Sequence, residues 1–279
     1  MKITRLGALA LGAAGAVLLF SGTQATAAPD RKDIGVQSYS NGAALSGDWN
    51  GDGVDTPGFF DFTTGTWLLR DSNSSGDPQY VFTFGDSSEQ GFPIVGDWNG
   101  DGFDTIGLVR GGTWFLRNSN TGGVADAVFT YGDPDEWGFP VVGDWDGNNT
   151  DTPGLVRDNQ WLLRNANSTG AANGTTVYGD EFEQGFPVVG DWNADGFDSV
   201  GLVRDGTWLL RNSNFGGGAD IGYSYGDPIP VHWPLTGDWD NNNTDTPGVV
   251  DFVSDPEHTL WHFRNSNSTG VADLSFQYL

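Results

Sequence analysis

The chain reads as an all-β, five-bladed β-propeller in which each blade is a four-stranded antiparallel sheet. Three observations predict this. The triplet Gly-Asp-Trp begins at Gly47, Gly96, Gly143, Gly190 and Gly237, at spacings of 49, 47, 47 and 47 residues; periods of this size belong to propellers and solenoids. Each copy holds four short runs rich in Val, Ile, Phe, Tyr, Trp and Thr, separated by Gly, Asn, Asp and Ser. After the first 27 residues no stretch has convincing helical periodicity.

The N-terminus comes first. Lys2 and Arg5 precede an apolar run from Leu6 to Phe20, and Ala25-Thr26-Ala27 supplies a small-x-small cleavage pattern. Residues 1–27 are therefore expected to be a signal peptide, which predicts a secreted, extracellular protein with no membrane insertion. Residues 28–279 are expected to form one propeller domain with repeats at about 43–91, 92–138, 139–185, 186–232 and 233–279. Ahead of the first repeat, VQSYSN at 36–41 resembles VFTYGD at 128–133. It predicts an extra N-terminal strand that closes the ring on the last blade.

Within a copy the strands follow in order. PVVGDW at 140–145 illustrates the first, TIGLVR at 105–110 the second, TWFLRN at 113–118 the third and AVFTYG at 127–132 the fourth. Ten of the 12 Trp residues occupy two registers. Trp49, Trp98, Trp145, Trp192 and Trp239 belong to the triplets; Trp67, Trp114, Trp161, Trp208 and Trp261 open the third strands. Their recurrence predicts packing between neighbouring blades. Trp137, Trp233 and Phe182 lie between fourth and first strands and are candidate ligand contacts. Phe92, Phe139 and Phe186 are expected to plug the core.

Charge narrows the partners. Past residue 27 the chain holds 10 basic and 37 acidic residues, a net charge of −27. Nucleic acid and anionic membrane surfaces are thereby disfavoured. There is no Cys, so the core, metal or ring closure must do what disulfides do in many exported proteins.

The acids concentrate in five loops: DWNGDGVDT (48–56), DWNGDGFDT (97–105), DWDGNNTDT (144–152), DWNADGFDS (191–199) and DWDNNNTDT (238–246). Positions 1, 3 and 5 are always Asp or Asn: Asp48, Asn50 and Asp52; Asp97, Asn99 and Asp101; Asp144, Asp146 and Asn148; Asp191, Asn193 and Asp195; Asp238, Asp240 and Asn242. Position 6 is Gly or Asn, which tolerate a left-handed backbone. Such a bend turns the oxygens of positions 1, 3 and 5, with the carbonyl of position 7 (Val54, Phe103, Phe197), toward one hard cation. That is the logic of a calcium loop. Position 8 is always Asp (Asp55, Asp104, Asp151, Asp198, Asp245), so each loop carries three carboxylates wherever the others fall. Asp and Asn also cap plain turns without an ion.

The GDWNGDG loop between strands resembles the FG-GAP and VCBS repeats of integrin α-subunits and many secreted bacterial proteins, over about residues 36–279. The resemblance implies Ca2+ bound through positions 1, 3, 5, 7 and 9, the ninth being Thr56 and Thr105 in the first two copies. That family usually has Asp at position 9 and more than five blades. Here position 9 is Thr or Ser and Asp stands one place earlier. Either position 8 or position 9 could complete the set. Five repeats of about 47 residues are also similar to the tachylectin type of invertebrate lectin, whose loops are not acidic in this way.

Arginines recur too. Arg70, Arg117, Arg164, Arg211 and Arg264 follow the third-strand Trp; Arg110, Arg157 and Arg204 end second strands, where repeats one and five have Asp61 and Asp251. Pairing with nearby carboxylates is the simplest expectation, with anion binding the alternative. His232, His258 and His262 do not have zinc spacing. Nearly every acid recurs in register, there is no Cys, and no Ser sits in a nucleophile elbow. The expectation is a non-catalytic, calcium-binding module for carbohydrate or an extracellular protein. A purely structural module and a cryptic glycoside hydrolase are the alternatives.

Overall fold

The computed structural model describes residues 42–85, 91–132, 138–180, 185–228, 232–252 and 259–279. The predicted signal peptide and N-terminal closing strand lie outside these residues, as do Trp137, Phe182 and His258.

Among the described residues the chain forms twenty strands in five four-stranded sheets, with no helix. The first blade comprises β1 (Gly42–Gly47), β2 (Thr56–Asp61), β3 (Thr66–Leu69) and β4 (Tyr80–Thr83). The second comprises β5 (Phe92–Gly96), β6 (Thr105–Arg110), β7 (Thr113–Leu116) and β8 (Ala127–Thr130). The third runs through β9 (Phe139–Gly143), β10 (Thr152–Arg157), β11 (Gln160–Leu163) and β12 (Gly174–Val177). The fourth has β13 (Phe186–Gly190), β14 (Ser199–Arg204), β15 (Thr207–Leu210) and β16 (Ile221–Ser224). The fifth has β17 (His232–Gly237), β18 (Thr246–Asp251), β19 (Thr259–Phe263) and β20 (Leu274–Tyr278). Every sheet keeps sequence order, and every described pairing is antiparallel. The first strands adjoin one another around the ring, β1 meeting β17. Among the described residues each sheet belongs wholly to one repeat, and the first and last blades meet directly.

Second strands are the most buried: every residue of β2 and of β18 is buried, including Thr56, Asp61, Thr246 and Asp251. Third strands alternate, and their Trp is the inward residue each time: Trp67, Trp114, Trp161, Trp208 and Trp261 are all 0% exposed. Each of these indoles also donates Nε1–H to the carbonyl ending the fourth strand, for example Trp114 to Tyr131 at 3.1 Å and Trp208 to Tyr225 at 2.9 Å. The triplet Trp side chains are buried beside them, and four donate to a second-strand carbonyl or its first residue, such as Trp49 to Pro57 at 3.2 Å. Burying the polar N–H therefore leaves no unmet donor at nine of the ten positions; Trp192 Nε1 is buried without a hydrogen-bond partner among the described residues.

The core repeats with the blades. Four of the five clusters combine one blade's two Trp residues with second-strand residues of the next blade. Trp49 and Trp67 pack with Ile106 and Leu108, and Trp145 and Trp161 with Val200 and Leu202. The last cluster closes the circle by taking Ala44 of the first blade. The expected packing between blades is what the structure has. One indole removes roughly 200 Å² from water, worth about 5 kcal/mol at most.

Trp161→Ala is expected to lower unfolding free energy by about 3–5 kcal/mol, because the surrounding strands cannot collapse into the space. Denaturant melts followed by Trp fluorescence measure it; a loss under about 1 kcal/mol would contradict the core described here.

Candidate functional site

The acidic loops join the first and second strands of each blade, so all five lie at one end of the axis. Their local shape follows from their composition. In the first loop Asp48 Oδ1 accepts the N–H groups of Gly51 (2.8 Å) and Asp52 (3.1 Å), and Oδ2 accepts that of Gly53 (2.7 Å). Asp52 Oδ1 accepts from Val54 N at 3.0 Å, and Asn50 Nδ2 donates to Asp52 Oδ2 at 3.0 Å. The second and fourth loops repeat this frame around Asp97, Asn99 and Asp101 and around Asp191, Asn193 and Asp195. In the third and fifth, Asp144 and Asp238 gather the amides at positions 5 and 6 in the same way.

Position 6 is left-handed as expected, with Asn149 at φ +60° and Asn243 at +61° where Gly is absent. Position 4 is left-handed as well, including Ala194 at φ +57° and Asn241 at +58°. Comparison of the repeats missed it. The side chain at position 7 covers position 4 of the preceding loop: Phe103 lies on Gly51 and Phe197 on Gly147. Each loop is therefore shaped partly by its neighbour.

Position 8 does something the sequence did not disclose. The backbone N–H of Asp48 donates to Asp104 Oδ2 at 2.9 Å, and Asp104 N returns a bond to Asp48 O at 2.8 Å. The same reciprocal clamp joins Asp97 to Asp151, Asp144 to Asp198 and Asp191 to Asp245. Asp238 N donates to Asp55 Oδ2 at 2.7 Å and Asp55 N to Asp238 O at 2.9 Å, which joins the last blade to the first. An Asn from each third-to-fourth-strand loop secures the same residue: Asn73, Asn120, Asn167, Asn214 and Asn267 donate Nδ2–H to its carbonyl. Thr56, Thr105, Thr152, Ser199 and Thr246, at position 9, donate their hydroxyls to the triplet Gly carbonyls. Both residues considered for completing an ion's ligand set are thus engaged elsewhere. The loop itself retains two carboxylates where three were expected, because the third reaches back to the preceding blade. Among the described residues no group of three or more His, Cys, Asp or Glu stands close enough to hold a metal through those side chains alone.

These clamps are electrostatically costly. Burial pushes Asp104 and Asp245 up to about 7, opposed by the amides that favour the charged form. Asp55, Asp151 and Asp198 are raised well above the usual carboxylate range by burial and then by repulsion from their counterparts in other blades.

For the five Arg residues that follow the third-strand Trp, the expected carboxylate pairs are secondary. Arg70 donates to the carbonyls of Ser74 (2.6 Å), Asp77 (2.6 Å) and Ser75 (2.8 Å), and Arg117, Arg164, Arg211 and Arg264 repeat this cage. Carboxylates add only looser contacts, such as Arg211 with Asp220 at 3.8 Å. A planar fork with five donors suits a curved run of carbonyls better than one carboxylate. The signal was present: Gly follows each Arg by six residues (Gly76, Gly123, Gly170, Gly217, Gly270) and lies against the guanidinium.

At the opposite end of the first strands, Phe92, Phe139, Phe186 and Trp233 form an edge-to-face arc with centroid separations of 5.0, 5.2 and 4.8 Å. The three Phe residues are half-buried plugs, as expected. Trp233, expected to be an exposed contact, is the fourth member of their register, four residues before the triplet Gly. Ala43 holds that register in the first blade.

A groove of about 500 Å³ lies between the first two blades, lined by Thr64, Thr83, Phe84, Leu108, Arg110 and Phe115 among others. No family model matches the chain, and no curated protein matches it. Among solved structures it is similar to a lectin of Agrocybe aegerita, described as recognising non-reducing terminal N-acetylglucosamine. Identity is 14% and the TM-score 0.45, over 84% of this chain and 66% of that one. It is also similar to BBS1N in its complex with ARL6DN, at 10% identity and a TM-score of 0.42, over 83% and 82% of the two chains. No helix among the described residues is long and apolar enough to cross a membrane.

The clamp yields two contrasting expectations. Asp104→Ala leaves the Asp48 amide without its acceptor and should cost about 1–3 kcal/mol, whereas Asp104→Asn keeps an oxygen acceptor, removes the charge and should cost less. A carboxyl raised in the folded state contributes stability below its unfolded pKa and loses it as pH rises through the folded value. Between about pH 4 and 7 the Tm of calcium-free protein should therefore fall with rising pH, and Asp104→Asn should flatten the profile. Equal slopes in the two proteins would contradict the assignment.

Proposed function

We propose that this chain is an exported, calcium-binding, non-catalytic propeller that binds carbohydrate. The observation that carries the calcium reading is the fivefold loop frame, in which a position-1 carboxylate gathers successive amides and holds the oxygens of positions 3 and 5 beside it. Asp48, Asn50, Asp52 and the carbonyl of Val54 would hold the ion in the first loop, with Asp97, Asn99, Asp101 and Phe103, and Asp191, Asn193, Asp195 and Phe197, in the second and fourth. Asp144, Asp146 and Asn148, and Asp238, Asp240 and Asn242, would serve in the other two. Hard oxygen donors on an exposed bend are the donor set calcium takes. The ion would supply positive charge to the end of the ring where acids crowd.

Carbohydrate is supported by the groove between the first two blades, whose size falls in the range of small-ligand sites and whose walls mix rings with hydroxyls. A protein partner is the second reading. It is favoured by exposed apolar side chains on third-to-fourth-strand loops: Val124 (82% exposed), Phe215 (79%) and Val271 (83%). Among the described residues the position-8 acids are occupied by amides of the adjoining blade, which lends catalysis no support.

Calcium at millimolar concentration is expected to raise Tm by several degrees over chelator, with the gain reduced in Asp48→Ala. Identical melts with and without calcium would overturn the ion reading. A glycan array read with and without chelator tests the ligand; binding to no glycan would transfer the reading to a protein partner.

A further inference from the structure

We propose that Asp71 makes the first acidic loop the tightest of the five calcium sites, its carboxylate acting on the ion through water. The inference rests on the calcium reading above and adds a residue from outside the loop and an order in which the loops fill.

The place is set by the loop between third and fourth strands. In the first blade Arg70 N donates to Pro57 O at 3.0 Å and Asn73 Nδ2 to Asp55 O at 2.9 Å, which lays residues 70–73 against the end of the acidic loop. Asp71 directly follows the caged Arg. The matching residue of the fifth blade, Asn265, hydrogen-bonds Asp240 at position 3 of its own loop. This register therefore stands beside the proposed ion ligands. It holds Asn118, Asn165, Asn212 and Asn265 in the second to fifth blades, and an acid in the first alone.

The first blade has moved a charge inward. In three other blades the amide of this Asn donates to an acid eight residues on: Asp126 Oδ2 at 2.8 Å, Asp220 Oδ2 at 2.9 Å and Asp273 Oδ2 at 2.8 Å. Those carboxylates are half-exposed and lie beside the caged Arg. In the first blade Gln79 Oε1 accepts from Asp71 N at 3.0 Å, and the acid takes the inner place instead. The turn does not require this, since Asn serves there in four blades.

Asp71 is also held with one oxygen unused. Its Oδ2 accepts the Tyr80 hydroxyl at 3.2 Å, from a position that is Ala127, Gly174, Ile221 or Leu274 in the other blades. Its Oδ1 is the one carboxylate oxygen among the described residues that is buried without a hydrogen-bond partner. Asn212 Oδ1, in the same register, is likewise buried and unpartnered, so among the described residues no protein donor serves this place in either blade. Burial raises the Asp71 carboxyl above its ordinary value; the Tyr80 hydroxyl opposes this, and the charges of Asp52 and Asp48 add to it. A divalent ion in the loop turns that repulsion into attraction.

Asp48, Asp52 and Asp71 do not stand close enough to hold an ion by themselves. Asp71 therefore reaches it through water, as the ninth residue of a calcium loop often does. That role is open here, because Thr56 at position 9 gives its hydroxyl to Gly47 O. Each loop keeps two carboxylates of its own, and the first gains a third; affinity is tuned by that count.

The test is a calcium titration of the full chain, first stripped with chelator, followed by amide NMR. The amides of Gly51, Asp52 and Gly53 should shift first, at about tenfold lower calcium than those of Gly100 and Gly102 or of Asp195 and Gly196. Asp71→Asn restores the residue of the other blades and should bring the first loop to their affinity. Asn118→Asp with Ala127→Tyr copies the arrangement into the second blade and should add a second tight site, a gain that a merely structural role for Asp71 does not produce. A first loop that fills no earlier than the others, that keeps its lead in Asp71→Asn, or a second loop that stays weak in the double variant would overturn the proposal and leave the calcium reading in place. Binding of calcium at no loop would overturn both.

Discussion

One contact recurs at every seam of the ring: a buried position-8 carboxylate accepting the backbone amide of the preceding blade's triplet Asp. Around it the triplet becomes intelligible as three separate requirements. Gly lets the neighbour's carboxylate approach; a Cβ on Gly96 would meet Asp151 Oδ2 at 2.8 Å, and one on Gly237 would meet Asp55 Oδ2 at 2.7 Å. Asp offers its own amide and carbonyl to that neighbour while its side chain folds its own loop. Trp, next in line, turns into the blade core. Because Asp55 and Asp238 make the same pair across 183 residues, the last blade meets the first on equal terms with the others. Among the described residues this pair and the last Trp cluster join the fifth blade to the first.

The arrangement has an energetic consequence. A carboxylate taken out of water is unfavourable unless its lone pairs are met. Here the amides of the adjoining blade meet them, yet the five acids still repel one another. The fold accepts a field that opposes ionisation near neutral pH in return for directional contacts that set blade-to-blade register. The Arg cages show the complementary solution on the outer loops, where a cation gathers carbonyls and no acid needs to be buried.

The architecture was readable because a propeller writes its period into the chain. The 47-residue spacing, the four apolar runs and the two Trp registers located the strands, and β6 matches its expected span of 105–110. Strand ends were less readable: β7 stops at Leu116 because Arg117 begins its carbonyl cage. The site was harder. Recurrence reveals that a residue matters in each copy but not what it touches, and the partners of Asp104 and Asp151 lie 56 and 54 positions away. Asp at position 8 therefore looked like part of its own loop. Trp233 looked irregular because its register is occupied by Phe in three blades and by Ala43 in the first.

Amide hydrogen exchange at the five triplet Asp residues tests the closure of the ring most directly. Asp48, Asp97, Asp144, Asp191 and Asp238 are predicted to exchange slowly and at comparable rates, since each donates to a buried carboxylate of the adjoining blade. Rapid exchange at Asp238 alone, with the other four protected, would contradict a ring closed by Asp55.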